Sequence, residues 1–154
     1  MEHQLSPKIM TQLLIRKPVE EVFEAFIDPK ITTQFWFTKS SGKLESGEKI
    51  KWEWEMYGAS IIVDVKIVKQ KEQILIEWGE PSTTVEWLFF PKSADTTLVK
   101  ISIWGFSGTE NEIFAKAMDS MGGFSFLLAD LKAYLEHNIK LNLVADHNPD
   151  AHIK

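Results

Sequence analysis

The 154 residues fit one domain, and a composition of 44% hydrophobic and 25% charged residues is typical of a globular protein rather than a disordered or membrane-embedded one. The formal net charge of −5 provides no positive field for a phosphate backbone, so we expect no nucleic-acid partner. The absence of cysteine excludes disulfides and zinc–thiolate sites, and no apolar signal segment or membrane-spanning run is present, so we expect a cytoplasmic protein.

The first elements are predicted to be one strand and two short helices. A strand over Ile9 to Ile15 ends before Pro18, which suits the first turn of a helix because proline has no amide hydrogen to leave unpaired. In "PVEEVFEAFIDP" the apolar residues recur on one helical face, and the Asp28-Pro29 pair ends that helix. The following "KITTQFW" adds one or two helical turns.

The chain then changes to a hydrophobic period of two between Ser40 and Phe106, with turn residues at even intervals. This pattern predicts an antiparallel meander. Together with the first strand it makes seven strands, the six new ones being Ser41–Leu44, Glu48–Glu55, Ala59–Gln70, Gln73–Trp78, Thr83–Phe90 and Thr96–Trp104.

The last predicted element is the longest helix. Thr109 is placed to cap it, and Glu112 to complete a capping box. Its apolar stripe comprises Ile113, Ala117, Met121, Phe124, Leu128, Leu131 and Leu135. Beyond Asn138 the periodicity is lost, so we predict a single domain over 1–138 and a flexible tail over 139–154.

Two adjacent glycines, Gly122 and Gly123, interrupt this helix pattern. Each costs a helix about 1 kcal/mol relative to alanine. Either they permit a kink that opens a cavity, or they allow the helix to approach the sheet or the short helices closely; close packing is the favoured interpretation.

Several segments in this order resemble one known family. They are "KPVEEVFEAFIDPK", the Phe35-Trp36 pair, "YGASIIVDVKIV", "VEWLFFP", "TLVKISIWGF" and "GGFSFLLADLKAYLE". The chain is similar over Ile9 to His137 to the START-like (SRPBCC) superfamily, and within it to the family of the C-terminal domain of the Hsp90 ATPase activators. The resemblance implies an α+β helix-grip fold: a curved antiparallel sheet of about seven strands, two short helices, and one long C-terminal helix packed across the sheet. It also implies a cavity between sheet and helix, which in many relatives holds an apolar or aromatic small molecule.

The inward-facing aromatic residues are the main candidates for a binding site. Alternation along "KWEWEM" sends Trp52, Trp54 and Met56 to one sheet face, and the same rule groups Ile61, Val63, Val65 and Ile67. Phe114 is expected among the helix residues that face them. Tryptophan, phenylalanine and methionine suit a pocket that stacks on a flat ligand. The predicted ligand-binding residues are Trp52, Trp54, Val63, Ile76, Trp78, Trp87, Phe89, Met118, Met121, Phe124 and Leu128. For any one of them, a plain core role is the competing interpretation.

Signals for catalysis are sparse, and no catalytic residue, metal or cofactor is predicted. The four histidines lie near the ends of the chain, and neither a nucleophile elbow nor a phosphate or dinucleotide loop is present. Asp64, Glu77 and Glu86 are expected to face solvent, and reach the interior only if the register shifts by one residue. The tail residues Asp146, His147, Asp150 and His152 are interpreted as solvated rather than metal-binding.

The leading hypothesis is therefore non-enzymatic binding of a small hydrophobic molecule, lipid-like or planar aromatic and polyketide-like, in the cavity between sheet and long helix. One alternative is a co-chaperone-like module whose partner is a chaperone. Another is a cyclase or dehydratase-like enzyme that uses inward carboxylates. An exposed Phe35-Trp36-Phe37 cluster would be either a dimer contact or the rim of the cavity.

Overall fold

The computed structural model of the chain describes residues 6–147 and 149. Seven strands form one antiparallel sheet in the order β1-β7-β6-β5-β4-β3-β2. Their bounds are β1 Ile9–Ile15, β2 Lys39–Ser40, β3 Lys49–Trp54, β4 Ala59–Lys69, β5 Gln73–Trp78, β6 Thr83–Ser93 and β7 Thr96–Trp104. The helices are α1 Val19–Ile27, α2 Pro29–Thr32, α3 Glu110–His137 and α4 Leu143–His147. The predicted α+β helix-grip architecture is confirmed.

The sheet follows the predicted meander closely, except near β2. Residues Ser41 to Leu44 were expected to form a strand, and that prediction is wrong. The Ser41 amide still bonds the Lys51 carbonyl of β3 at 2.9 Å. The Ser40 hydroxyl then donates to the Gly42 carbonyl at 2.8 Å and accepts from the Gly42 amide at 3.3 Å, so the backbone groups of Gly42 bond a side chain instead of β3. β3 ends at Trp54 in a 3-10 turn, Glu55–Tyr57, which leaves Met56 exposed instead of facing inward.

A β-bulge in β4 changes which residues face the core. Up to Val65 the alternation is as predicted, but the register shifts between Val65 and Ile67. Val68, opposite the buried Ile74, then packs against the core. The prediction that Ile67 shares the inner face is therefore wrong, because one extra residue in a bulge reverses the alternation that follows.

Helix α3 begins with the predicted capping box. The Thr109 hydroxyl accepts from the Glu112 amide, and the Glu112 carboxylate accepts from the Thr109 amide. Its buried residues are Ile113, Ala117, Phe124, Leu127, Leu128, Asp130 and Leu131. The expectation that Phe114, Met118 and Met121 face the sheet is wrong, because they are 61%, 62% and 41% exposed. At 100° per residue, Phe114 and Met118 lie about 80° and 120° from the centre of the Ile113–Ala117–Phe124 stripe, whereas Met121 lies at its edge, about 60° away.

The C-terminal half of α3 is attached to β1 by polar contacts as well as apolar packing. The hydroxyls of Thr11 and Ser125 lie 2.8 Å apart. Glu136 accepts from the Arg16 amide and from the Lys132 ammonium, at 2.8 Å and 2.7 Å. The long helix is thereby held across the sheet at its end, which positions its middle turns over the ends of β3 and β5.

The segment after Asn138, for which the sequence predicts a tail, contains the short helix α4. Val144 packs against the core cluster, and α4 lies alongside α3. Of the helices in the described residues, none combines the length and hydrophobicity needed to cross a bilayer.

Candidate ligand-binding site

A pocket of about 230 Å³ lies where the ends of β3 and β5 meet α3 and α4. Its volume is below the range of about 300–1,000 Å³ that is usual for drug-sized ligands. Its lining residues are Trp36, Trp54, Trp78, Asp119, Ser120, Gly123, Phe124 and Val144. The pocket can therefore hold a small ligand or one end of a larger one.

Three half-buried tryptophans, Trp36, Trp54 and Trp78, form one side of this pocket and are called here the tryptophan wall. Trp54 and Trp78 are the last residues of β3 and β5, where strand alternation directs them to the inner face. Trp36 follows α2, and its amide bonds the Thr32 carbonyl at 2.9 Å. The wall thus combines two strand ends with one loop residue.

In the tryptophan wall, the Trp36 ring contacts the Trp54 and Trp78 rings edge to face, and the Trp54 and Trp78 rings are tilted relative to each other. Their centroids are 6.0 Å apart for Trp36 and Trp54, 6.1 Å for Trp36 and Trp78, and 6.4 Å for Trp54 and Trp78. Phe124 of α3 lies 6.0 Å from Trp36 and 5.9 Å from Trp78. Such pairs contribute about 0.5–1.5 kcal/mol each beyond their buried area, so the wall is held in place before a ligand arrives.

The predicted ligand-binding residues divide into three groups in the structure. Trp54, Trp78 and Phe124 line the pocket. Met118 and Met121 are exposed on a different side of α3. The remaining six are at most 3% exposed and belong to the core cluster behind the pocket: Trp52, Val63, Ile76, Trp87, Phe89 and Leu128.

Five of the eight lining residues are absent from the predicted set: Trp36, Asp119, Ser120, Gly123 and Val144. Trp36 is the aromatic one among them. It lies at the centre of the aromatic cluster, within 6.1 Å of Trp52, Trp78, Trp87 and Phe124. The interpretation of residues 35–37 as an exposed cluster is wrong, because Phe35 is 7% and Phe37 1% exposed. The alternative that this segment forms the rim of the cavity holds for Trp36, and the Phe35-Trp36 pair was the available signal.

The two helical glycines have different surroundings, and neither is needed for contact with the sheet. A Cβ atom on Gly122 would lie 3.5 Å from the His147 ring of α4, an ordinary contact distance. A Cβ atom on Gly123 would meet nothing within 4 Å, and Gly123 lines the pocket. The favoured interpretation, close approach to the sheet or short helices, is therefore wrong: Gly122 is approached by α4, and Gly123 leaves pocket space open.

Helix α4 is held beside the pocket by hydrogen bonds to its first three residues, Leu143 to Ala145. The Asp130 carboxylate accepts from the Leu143 and Val144 amides at 3.0 Å and 3.1 Å. The Tyr57 hydroxyl lies 3.1 Å and 3.0 Å from the Val144 and Ala145 carbonyls, to which it donates. These bonds place the Val144 side chain in the pocket lining.

The two tethering side chains also have shifted pKa values. Burial raises the pKa of Asp130, although the two amide bonds to α4 oppose the shift. Burial raises the pKa of Tyr57 as well, with a smaller contribution from the charge of Asp146. Both shifts follow from the partial burial of a polar group beside α4.

The strand carboxylates lie on the outer face of the sheet, as the predicted register requires. Asp64 and Glu77 are directly opposite each other across β4 and β5, and the Lys66 ammonium lies 3.0 Å from Asp64 and 4.0 Å from Glu77. Glu86 accepts from the Gln73 amide group at 2.8 Å. None of the three lines the pocket, whose one carboxylate is that of Asp119.

Residues 6–147 and 149 contain no group of three metal-ligating side chains close enough to hold an ion. The tail candidates Asp146 and His147 lie in α4, whereas Asp150 and His152 lie outside the described residues. The His147 ring contacts the Phe126 ring, with centroids 4.9 Å apart.

Comparison with known proteins adds family and fold relationships. Residues 16–136 match the family described as activator of Hsp90 ATPase homolog 1-like protein. No curated protein matches the chain.

Solved structures are similar along most of the chain. Protein SSP2350 of Staphylococcus saprophyticus is 28% identical, with a TM-score of 0.77 over 88% of this chain and 96% of that one. DynU16, a protein of the dynemicin biosynthetic locus, is 19% identical, with a TM-score of 0.75 over 88% of this chain and 50% of that one. The Aha1 dimer of Colwellia psychrerythraea is 16% identical, with a TM-score of 0.70 over 85% of this chain and 97% of that one.

Proposed function

The chain belongs to the activator of Hsp90 ATPase homolog 1-like family, and from that premise we propose that it binds a small hydrophobic ligand, without catalysis, in the pocket beside the tryptophan wall. The observation that carries the proposal is the open space at Gly123. A helix interior loses about 1 kcal/mol with glycine in place of alanine, and at this position no neighbouring atom requires the loss. Space kept open beside three indole rings suits a ligand.

The size and lining of the pocket support a narrower ligand class than the resemblance implies. At about 230 Å³ the pocket suits a single ring or a short branched group rather than a whole sterol or polyketide. Tryptophan combines a large apolar face with a polar N–H, so the wall can stack on a ring and orient it. DynU16 shares the fold and belongs to a biosynthetic locus, which links this fold to small-molecule pathways.

The test is a titration of the ¹⁵N-labelled protein with small neutral aromatics such as indole and toluene, followed through the six indole N–H signals. We expect saturable shifts for Trp36, Trp54 and Trp78, with no shift for Trp104, which lies at the end of β7. Absence of any saturable shift with the neutral panel would contradict the proposal. Trp104→Phe is the matched control variant because it removes a tryptophan outside the pocket.

A second candidate is a protein-interaction module, favoured by a different surface. Phe114 and Met118, each more than 60% exposed, and Met121 form an apolar stripe on α3. A chaperone partner is the family-based expectation, and the test is a change in chaperone ATPase rate on adding the protein. Loss of that change with Met118→Lys, but not with Met56→Lys on the 3-10 turn, would support this function.

A further inference from the structure

We propose that the pocket beside the tryptophan wall favours an alkylated ammonium group, so that it binds a small organic cation more tightly than a neutral molecule of the same shape. This inference rests on the proposed function, since it concerns the same pocket. An aromatic face carries the negative end of the ring quadrupole, and tryptophan attracts cations best among the side chains. Three indoles and Phe124 line the space.

The charge of the lining points in the same direction. Of the lining residues that the structure describes, Asp119 is the one that carries a charge, and none is a lysine or an arginine. Among the described residues Asp119 forms no ion pair. Lys116, three positions earlier on α3, donates instead to the Ser107 carbonyl at 2.8 Å. A cation in the pocket would thus meet a carboxylate that no described cation neutralises.

The small number of hydrogen-bond acceptors distinguishes an alkylated ammonium from a primary one. A primary ammonium has three N–H donors, and leaving any of them unpaired in a partly dry pocket is costly. Within the described part of the lining, Asp119 and Ser120 alone offer side-chain acceptors. A quaternary ammonium has no donors to satisfy and is weakly hydrated, so indole faces and one carboxylate are sufficient for it.

The open position at Gly123 provides the room that such a group needs. Because a Cβ atom there would meet nothing within 4 Å, space lies directly over the helix at this turn. A compact, branched group such as trimethylammonium fits this space, and Val144 of α4 closes another side.

The decisive experiment compares choline with its neutral isostere 3,3-dimethylbutan-1-ol, which has the same shape without the charge. Both are titrated into the ¹⁵N-labelled protein at matched ionic strength, with sodium chloride replacing choline chloride in the controls. We expect choline to shift the signals of Trp36, Trp54 and Trp78 saturably and to bind about tenfold more tightly than the alcohol.

Asp119→Asn preserves the shape of the pocket and removes its charge. We expect it to weaken choline binding about threefold, the effect of one partly exposed ion pair, and to leave the alcohol unaffected. Asp119→Lys should weaken choline binding further. Asp95→Asn, in the turn between β6 and β7, is the matched control and should change neither affinity.

Equal or tighter binding of the alcohol overturns the cation inference and leaves the proposed function intact. The same conclusion follows if neither compound binds while indole or toluene saturates the tryptophan signals. If the neutral aromatics also fail, the proposed function fails with it. An unchanged choline affinity in Asp119→Asn and Asp119→Lys overturns the role assigned to the carboxylate and, with it, the proposal.

Discussion

Replacing Gly123 tests directly whether the space beside the tryptophan wall is kept for a ligand. An alanine Cβ at this position would meet no atom within 4 Å, so no steric cost opposes the gain in helix propensity. That gain is about 1 kcal/mol in the free energy of unfolding, part of which comes from restricting the unfolded chain. For a chain of this size it corresponds to a rise in melting temperature of about 2–4 °C.

A larger side chain at the same position should separate stability from binding. Leucine is a good helix former, but its side chain would extend from Gly123 into the pocket. We expect Gly123→Leu to be no less stable than the wild type and to lose at least about tenfold in affinity for indole or choline. Urea unfolding measures the stability, and the indole N–H titration measures the affinity.

Gly122→Ala is the matched control for both measurements. Its added methyl group would lie 3.5 Å from the His147 ring, outside the pocket lining, so we expect a similar gain in stability and unchanged binding. Two results would refute the reasoning. One is a loss of stability in Gly123→Ala, which would mean that the glycine is structurally required. The other is undiminished binding in Gly123→Leu, which would mean that ligands use another site.

Three further predictions concern the contacts that position the pocket. Tyr57→Phe removes a hydroxyl that bonds two α4 carbonyls, which should weaken the attachment of α4 by about 1 kcal/mol. The amide hydrogens of α4 should then exchange several-fold faster, while those of the sheet exchange at an unchanged rate. An equal change in exchange rate for α4 and sheet amides would contradict this role of Tyr57. Thr109→Ala should lower the free energy of unfolding by about 1 kcal/mol through loss of the capping box, and no change in urea unfolding would argue against it. Burial raises the pKa of Glu136, but the hydrogen bonds from the Arg16 amide and the Lys132 ammonium outweigh burial and lower the pKa overall. The charged carboxylate therefore stabilises the fold at pH values above the ordinary glutamate pKa, and this stabilisation is lost as the pH falls through the lowered pKa. Glu136→Gln should therefore cost about 2 kcal/mol at pH 7 and less in acid, and a pH-independent difference would refute the assignment.

Local sequence patterns were sufficient for most of the sheet and for the start of the long helix. The bounds of β5 and β7 agree with those predicted, because strict alternation between turn residues leaves little freedom in register. The capping box of Thr109 and Glu112 was predictable because its partners lie three residues apart. The family resemblance supplied the arrangement of these elements, and the family match bears it out.

The bulge in β4 and the buried face of α3 were harder to predict. A bulge is one extra residue against a partner strand, so it depends on pairing that a single segment does not encode. The apolar residues of α3 extend over a wider arc than the core uses, and packing against β1 and β7 buries Phe124 and Leu128 while Met118 and Met121 stay exposed. Hydrophobic periodicity alone treats the whole arc as a candidate for the core.

The sequence by itself determined the order of the helices and strands and the alternation that turns many aromatic residues inward, because both depend on near neighbours. The helix-grip arrangement of these elements came from the family resemblance. The tertiary structure alone decided which aromatics fill the core and which line a pocket. Trp52 and Trp87 are enclosed because other strands and helices cover them, whereas Trp54 and Trp78 end their strands beside open space. Gly123 joins them because the long helix crosses there. No local pattern records a meeting of residues as far apart in the chain as Trp54 and Gly123.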